Sequence, residues 1–349
     1  MERFDLSRTL IDITVSRMLY EMDSDMNRNV RKLLDAALSV SSGRFQKRFF
    51  ESAQRIMANE DSAYYEMLHN LIGFADHNKL KTFGINLGYN GCTAGAKQIR
   101  QNEAAWHFDI PWNIFVDIGK GCAAPADVDR LIRQGKALGI YVYTVISDHA
   151  LNSAYHDIFK AHEDCAFLLL TDPDEVLETV LDGYADLPNC LFMVDSDREN
   201  IQAAVDELKA EHFLFGIYRK YAMENLDDLL SDDALAQCAA YGGAFVLLCP
   251  VPTCSLKEAE AVEERLVHIR DEQRYPFLLM DAQADNLRID RIISDSPCSV
   301  AFDATGQIHT AGTVWTGAEY NYLHTDLKTI LQKTNVKNAA GADPSGLTE

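Results

Sequence analysis

Asp117, Lys120, Ser147, Asp148, His149, Asp172, Asp195, Ser196, Asp197, Arg219, Lys220, Cys249 and Asp281 all fall at or just past the end of a short apolar run. Where strands and helices alternate in a barrel, the loops that follow the strands carry the chemistry. Asp148, His149 and Asp195 are therefore the candidate catalytic set. Imidazole titrates nearer neutrality than any other unperturbed side chain, and a carboxylate beside it can orient the ring or hold a cation. Against this stands a structural reading of each Asp, a leading cap for the helix that follows a strand.

Cys249 and Cys254, separated by Pro250 and Pro252, could supply half of a tetrahedral metal site, with Cys122 as a third ligand and Cys298 as a fourth. Their spacing does not bring the four together, so the expectation is buried, apolar thiols and no bound metal. Gly-x-Ser-x-Gly, G-x-G-x-x-G and G-x-x-x-x-G-K-[ST] are absent. Triad hydrolysis and a glycine-rich phosphate cradle thus have no support.

These residues need a scaffold, and the periodicity suggests one. In 1–85 apolar residues recur at helical spacing, as in Ile11, Val15, Met18 and Leu19 and again in Leu33, Leu34, Ala37 and Leu38, with no Pro. This predicts a helical N-terminal region. Gly84, Gly88, Asn90 and Gly91 read as a loop leading into a helix over 93–106. From Pro111 onward, short apolar runs alternate with amphipathic stretches, which predicts six βα units over 86–275. The strands are placed at 113–118, 140–146, 166–171, 191–194, 213–218 and 244–248. Helices are placed at 125–138, 198–210 and 256–274, the last capped by Ser255. A short strand at 277–280 and a hairpin around Ala304-Thr305-Gly306 form a C-terminal appendage over 276–334, and the small, polar residues 335–349 read as a disordered tail.

With 47% hydrophobic and 24% charged residues, the 349-residue chain can bury a large core. Its net charge of −21 repels a phosphate backbone, so nucleic acid is not an expected partner. The start, Met1-Glu2-Arg3-Phe4-Asp5, lacks the pattern of a signal peptide, and no apolar run is long enough to span a bilayer. A cytoplasmic protein without membrane insertion, its thiols reduced, is the expectation.

The stretch Gly91-Cys92-Thr93-Ala94-Gly95-Ala96-Lys97-Gln98-Ile99-Arg100-Gln101-Asn102-Glu103, followed by Phe108 and Pro111-Trp112-Asn113-Ile114-Phe115-Val116-Asp117, resembles a subgroup of radical SAM proteins. Further likeness lies in Gln134-Gly135-Lys136-Ala137-Leu138-Gly139 and Asp164-Cys165-Ala166-Phe167-Leu168. The resemblance implies a partial (β/α)6 TIM-like barrel. It also implies a C-x-x-x-C-x-x-C loop after the first strand, where three thiolates hold a [4Fe-4S] cluster and leave one iron open for S-adenosylmethionine. Here that loop contains Cys122 alone. Where similar proteins have G-G-E-P after the second strand, this chain has Ser147-Asp148-His149-Ala150, which narrows the space and removes an acceptor for an ammonium group. The C-terminal extension likewise lacks the cysteine expected after its hairpin.

The sequence therefore points to a degenerate radical-SAM-like protein, a pseudoenzyme without [4Fe-4S] or S-adenosylmethionine, that acts as a regulatory or binding module for a protein partner. Two alternatives remain. One is an enzyme doing non-radical acid/base or metal-assisted chemistry at the barrel mouth, and the other a radical SAM enzyme with an atypical cluster.

Overall fold

The computed structural model describes residues 16, 26–41, 43–119, 123–294, 298–310 and 313–334. The tail expected at 335–349 lies outside them. Ten strands form one sheet: β1 Asn113–Asp117, β2 Val142–Ile146, β3 Ala166–Thr171, β4 Cys190–Asp195, β5 Phe215–Tyr221, β6 Phe245–Pro250, β7 Leu278–Asp281, β8 Val300–Phe302, β9 Ile308–Thr310 and β10 Thr313–Val314. Their order is β10-β9-β8-β1-β2-β3-β4-β5-β6-β7. From β1 to β7 every neighbouring pair is parallel. A monotonic order with right-handed crossovers puts the connecting helices on one face, and twist curls the sheet about the other. The result is a half-barrel.

The count of six βα units is corrected to seven. Leu278 pairs with Phe245, so β7 extends the parallel sheet, and a helix follows it at Ala284–Ile293. The strand itself is expected at 277–280, but its parallel pairing with β6 rests on contacts that no local pattern shows. The predicted hairpin is also part of the sheet, because β8 runs parallel to β1 while β9 and β10 return antiparallel. Gly306 turns that hairpin at φ +86°, a backbone region that glycine enters without steric cost.

The helices used below are α1 Met26–Val40, α2 Arg44–Met57, α3 Tyr64–Phe74, α4 His77–Ile85, α5 Ala96–Trp106, α6 Pro125–Leu138, α7 Ser153–Ala161, α8 Ile201–Ala210, α9 Asp232–Tyr241, α10 Leu256–Glu272, α11 Ala284–Ile293 and α12 Leu327–Thr334. Pro125 at the first position and Gly139 at φ +105° bound α6 as the sequence predicts. Ser255 caps α10 in a reciprocal arrangement with Glu258.

The stretch read as a loop near residue 88 is instead π-helical, Asn86–Gly95, and joins α4 to α5 without a break. Its glycines permit close approach rather than a turn: a Cβ on Gly91 would lie 2.6 Å from Val142, and one on Gly95 would overlap the Gly139 carbonyl. Asn86 donates to the carbonyls of Glu163 (2.8 Å) and Cys165 (2.9 Å), and Asn90 to that of Asp164 (2.8 Å). These carbonyls precede β3, so the N-terminal helices close the barrel at the start of its strands. Phe83, Cys92, Ala96 and Ile99 belong to the main core, whereas Val30, Met57, Tyr64 and Tyr65 form a second, small one.

Burial along the strands separates the two faces. Ile114, Val116, Val145, Phe167, Leu169 and Val246 are at most 1% exposed. The Tyr143 hydroxyl on the same face donates to the Ile132 carbonyl of α6. Phe115, Leu168, Leu247 and Met280, which point the other way, are only partly buried, and Ile146 is 36% exposed. The register carries this alternation across the sheet, with Asp117 opposite Ile146, Ile146 opposite Leu170, Tyr218 opposite Leu247 and Leu247 opposite Met280.

Candidate functional site

The ends of β2, β3 and β4 place the predicted catalytic trio at the barrel mouth. Asp148 (φ +42°) and His149 (φ +63°) are consecutive left-handed residues without glycine, a conformation that costs about 1 kcal/mol each. Glu175, 2% exposed, holds this turn. Its carboxylate accepts from the Ser147 hydroxyl, from the Leu151 N–H (3.0 Å) and from the His149 N–H. Burial pushes the Glu175 carboxyl above its usual range, and those hydrogen bonds together with the nearby His149 offset only part of the effect.

The trio does not converge. The half-exposed His149 points toward Asp172, but its Nε2 stays 3.9 Å from Oδ1, beyond hydrogen-bond reach. Arg198 lies 3.5 Å from Asp172 and 3.4 Å from Asp195, so it bridges the two carboxylates. Asp195 is itself buried, near Tyr218. Asp148 turns the other way, toward β1, where a Cβ on Gly119 would overlap it. Burial first, and then the charges of Asp148 and Asp303, raise the Asp117 carboxyl above its usual range despite the Gly119 N–H and Lys220.

One arrangement recurs along the mouth. Asp117, Asp172, Asp195, Asp281 and Asp303 each accept the N–H two residues ahead through Oδ1, at 2.8, 3.0, 3.1, 2.8 and 2.9 Å. These are local turns of the Asx kind; Asp172 caps the helical turn that follows it, whereas the helices after β1, β4 and β7 start at Ala124, Asn200 and Gln283 rather than at a strand-end Asp. Asp281 is further engaged by Tyr221, whose hydroxyl donates to it at 2.6 Å. At the far edge His309 lies 2.8 Å from Asp303. Burial tends to raise the Asp303 carboxyl, but its hydrogen bonds from His309, Thr305 and Gln307 hold it below the usual range.

Cys249 is partly buried on the concave face of β6, and Cys254 lies 3.8 Å from the Tyr221 carbonyl; both are free thiols. Burial, reinforced by Asp281 and Asp195, pushes the Cys249 thiol up to about 12. Such a thiol is a poor nucleophile at neutral pH. Cys122 and Lys120 lie outside the described residues. Among the described residues no three His, Cys, Asp or Glu side chains are grouped so as to hold a metal ion, and no helix is long and apolar enough to cross a membrane.

Sequence reasoning missed Glu175, Arg198 and Tyr218. Glu175 had a signal, since Asp172-Pro173-Asp174-Glu175 puts it at the third position of a capped turn, where a Glu normally reaches back to the cap. Here it reaches across to the neighbouring loop.

No known protein family and no curated protein matches the chain. Among solved structures, Streptococcus suis SuiB bound to S-adenosylmethionine is similar with a TM-score of 0.48 and 9% identity, over 69% of this chain and 68% of that one. Rhizobium etli pyruvate carboxylase gives 0.38 and 11% over 64% of this chain and 23% of that one. A putative aldo-keto reductase from Pseudomonas aeruginosa gives 0.32 and 9% over 54% and 91%. Likeness at this level says nothing of activity.

Proposed function

We propose that the protein is a binding module on a radical-SAM-like half-barrel, with the uncovered concave face as the surface that takes a protein partner in the cytoplasm. The observation that carries this reading is the contrast between faces of one sheet: Ile146, Leu168, Leu247 and Met280 stay partly open where their strand neighbours are sealed. These side chains flank the buried Leu191 and Met193 on the same face, and partly open apolar side chains on a folded chain suit association. Its rim includes Asp117, Asp148 and Asp303 against Lys220, which suits a partner segment with an apolar stripe and cationic flanks.

The donor set does not fit a three-thiolate cluster. The loop after β1 contains one cysteine, and the thiols that follow it, Cys165 and Cys190, are buried at the bottoms of β3 and β4. Non-radical chemistry at the mouth has one feature in its favour, the strained Asp148–His149 turn, because strain of this kind gathers at working sites.

A single comparison separates the two readings. Partner capture from the native cell is expected to survive His149→Ala with Asp195→Ala and to be lost with Ile146→Asp and Leu247→Asp. The binding reading fails if capture is indifferent to the Ile146/Leu247 variant while the His149/Asp195 variant, still folded, abolishes the cellular phenotype.

A further inference from the structure

Helices α1 and α2 reverse the charge of the molecule. Residues 26–57 hold seven Lys and Arg against two Asp and Glu, in a chain whose net charge is −21. A cleft of ≈ 580 Å3 opens between the first half of α2 and the end of α11, lined by Arg44, Lys47, Arg48 and Arg291, with Glu51 as the one acid among its described lining residues. That volume falls within the range of roughly 300–1,000 Å3 typical of small-ligand sites.

Arg44, Lys47 and Arg48 stand at i, i+3 and i+4, so the helix itself holds three cations on one face. Like charges at this spacing repel one another. Lys47 is 3.9 Å from Glu51, at the limit of an ion pair, and Arg48 has no ion pair among the described residues. Arg291 reaches Glu260 at 3.0 Å through one nitrogen, which leaves other donors of its guanidinium available. Gly43, also on the cleft wall, starts α2 without a side-chain cap, so the amide end of the helix adds to the positive potential there.

We propose that this cleft binds a small, multivalent anion of the phosphate class, a ligand carrying a diphosphate or triphosphate group. Planar guanidinium forks match phosphate oxygens in pairs, and the compact clustering of four cations suits a ligand that concentrates its charge. The site is independent of the concave face, whose rim is acidic.

The test is isothermal titration of the full chain with inorganic tripolyphosphate in about 0.1 M salt, where exposed charges further apart than ~10 Å are screened. The expected result is saturable, one-to-one binding that weakens at least about tenfold with Lys47→Glu and Arg48→Glu together, and tightens with Glu51→Gln. Citrate is expected to bind more weakly than tripolyphosphate. Unchanged binding in the double variant overturns the site, and citrate binding as tightly as tripolyphosphate overturns the phosphate class. Should the double variant fail to fold, Glu51→Gln decides alone, since looser or unchanged binding there contradicts the proposal.

Discussion

The outer and inner faces of the half-barrel are made from the same strands, yet they follow different rules. On the outer face Phe167 is fully buried, with its ring 4.6 Å from Phe159 and 5.8 Å from Tyr143. Two positions along the same sheet direction, Ile146 and Leu168 present apolar surface that no element of the described chain seals. Helix packing seals the outer face at these positions, whereas the inner face is sealed at Leu191 and Met193 and partly open at Ile146, Leu168, Leu247 and Met280. The mouth differs again: Asp117 and Asp195 are committed to local turns, and Asp148 and His149 are consecutive left-handed residues.

The largest effect expected from breaking this contrast is on the outer face. Phe167→Ala should lower stability by about 3–5 kcal/mol in urea unfolding, through lost burial and a residual cavity. Ile146→Ala, the same kind of truncation on the inner face, should cost less than about 1 kcal/mol. Equal losses would erase the distinction between the faces.

Glu175 comes next. Glu175→Ala leaves the Leu151 N–H without its acceptor in a buried setting, while the Ser147 hydroxyl keeps the Leu170 carbonyl, and should cost about 1–3 kcal/mol. Glu175→Gln keeps one acceptor oxygen and should recover most of that loss. A Gln variant as unstable as the Ala variant would show that the charge, rather than the hydrogen bonds, holds the turn.

The pH dependence is smaller and has a definite sign. Burial raises the carboxyls of Asp117, Glu175, Asp281 and Asp290 above their usual range. A carboxyl whose folded pKa exceeds its unfolded one stabilises fully below the unfolded value, and that contribution is lost as pH rises through the folded value. Stability should therefore increase from neutral pH toward about pH 5. Asp186, held at about 2 by Lys160 and His156, keeps its own contribution throughout that window. Urea midpoints that fall over the same window would contradict the assignment, and Glu175→Gln should flatten part of the slope.

The smallest effect concerns the strained turn. His149→Gly should change stability by less than about 1 kcal/mol, with relief of the left-handed backbone opposed by a more flexible unfolded chain.

Much of this architecture was legible from local chemistry. Pro125 and Gly139 mark both ends of α6, Ser255 starts α10, and Ala304-Thr305-Gly306 turns the hairpin, because each signal acts within its own few residues. The ends of β2 and β3 were legible for the same reason, whereas β5 and β6 run on to Tyr221 and Pro250 and take Arg219, Lys220 and Cys249 into the strands. What could not be read depends on neighbours distant in sequence. Gly91 reads as loop because its partner, Val142, lies more than forty residues further on. The divergence of Asp148 and His149 depends on two successive positive φ values, and Glu175 fixes that turn from another strand.

The central claim is that the inner face, and not the polar strand ends, is the working surface. Its most direct test is a titration of the native protein with the neutral fluorescent probe Nile red, with circular dichroism confirming the fold of each variant. The account predicts saturable binding that is retained with His149→Ala and Asp195→Ala together and lost with Ile146→Asp and Leu247→Asp. Absence of binding to the native protein, or binding that the Ile146/Leu247 variant leaves intact, would contradict it.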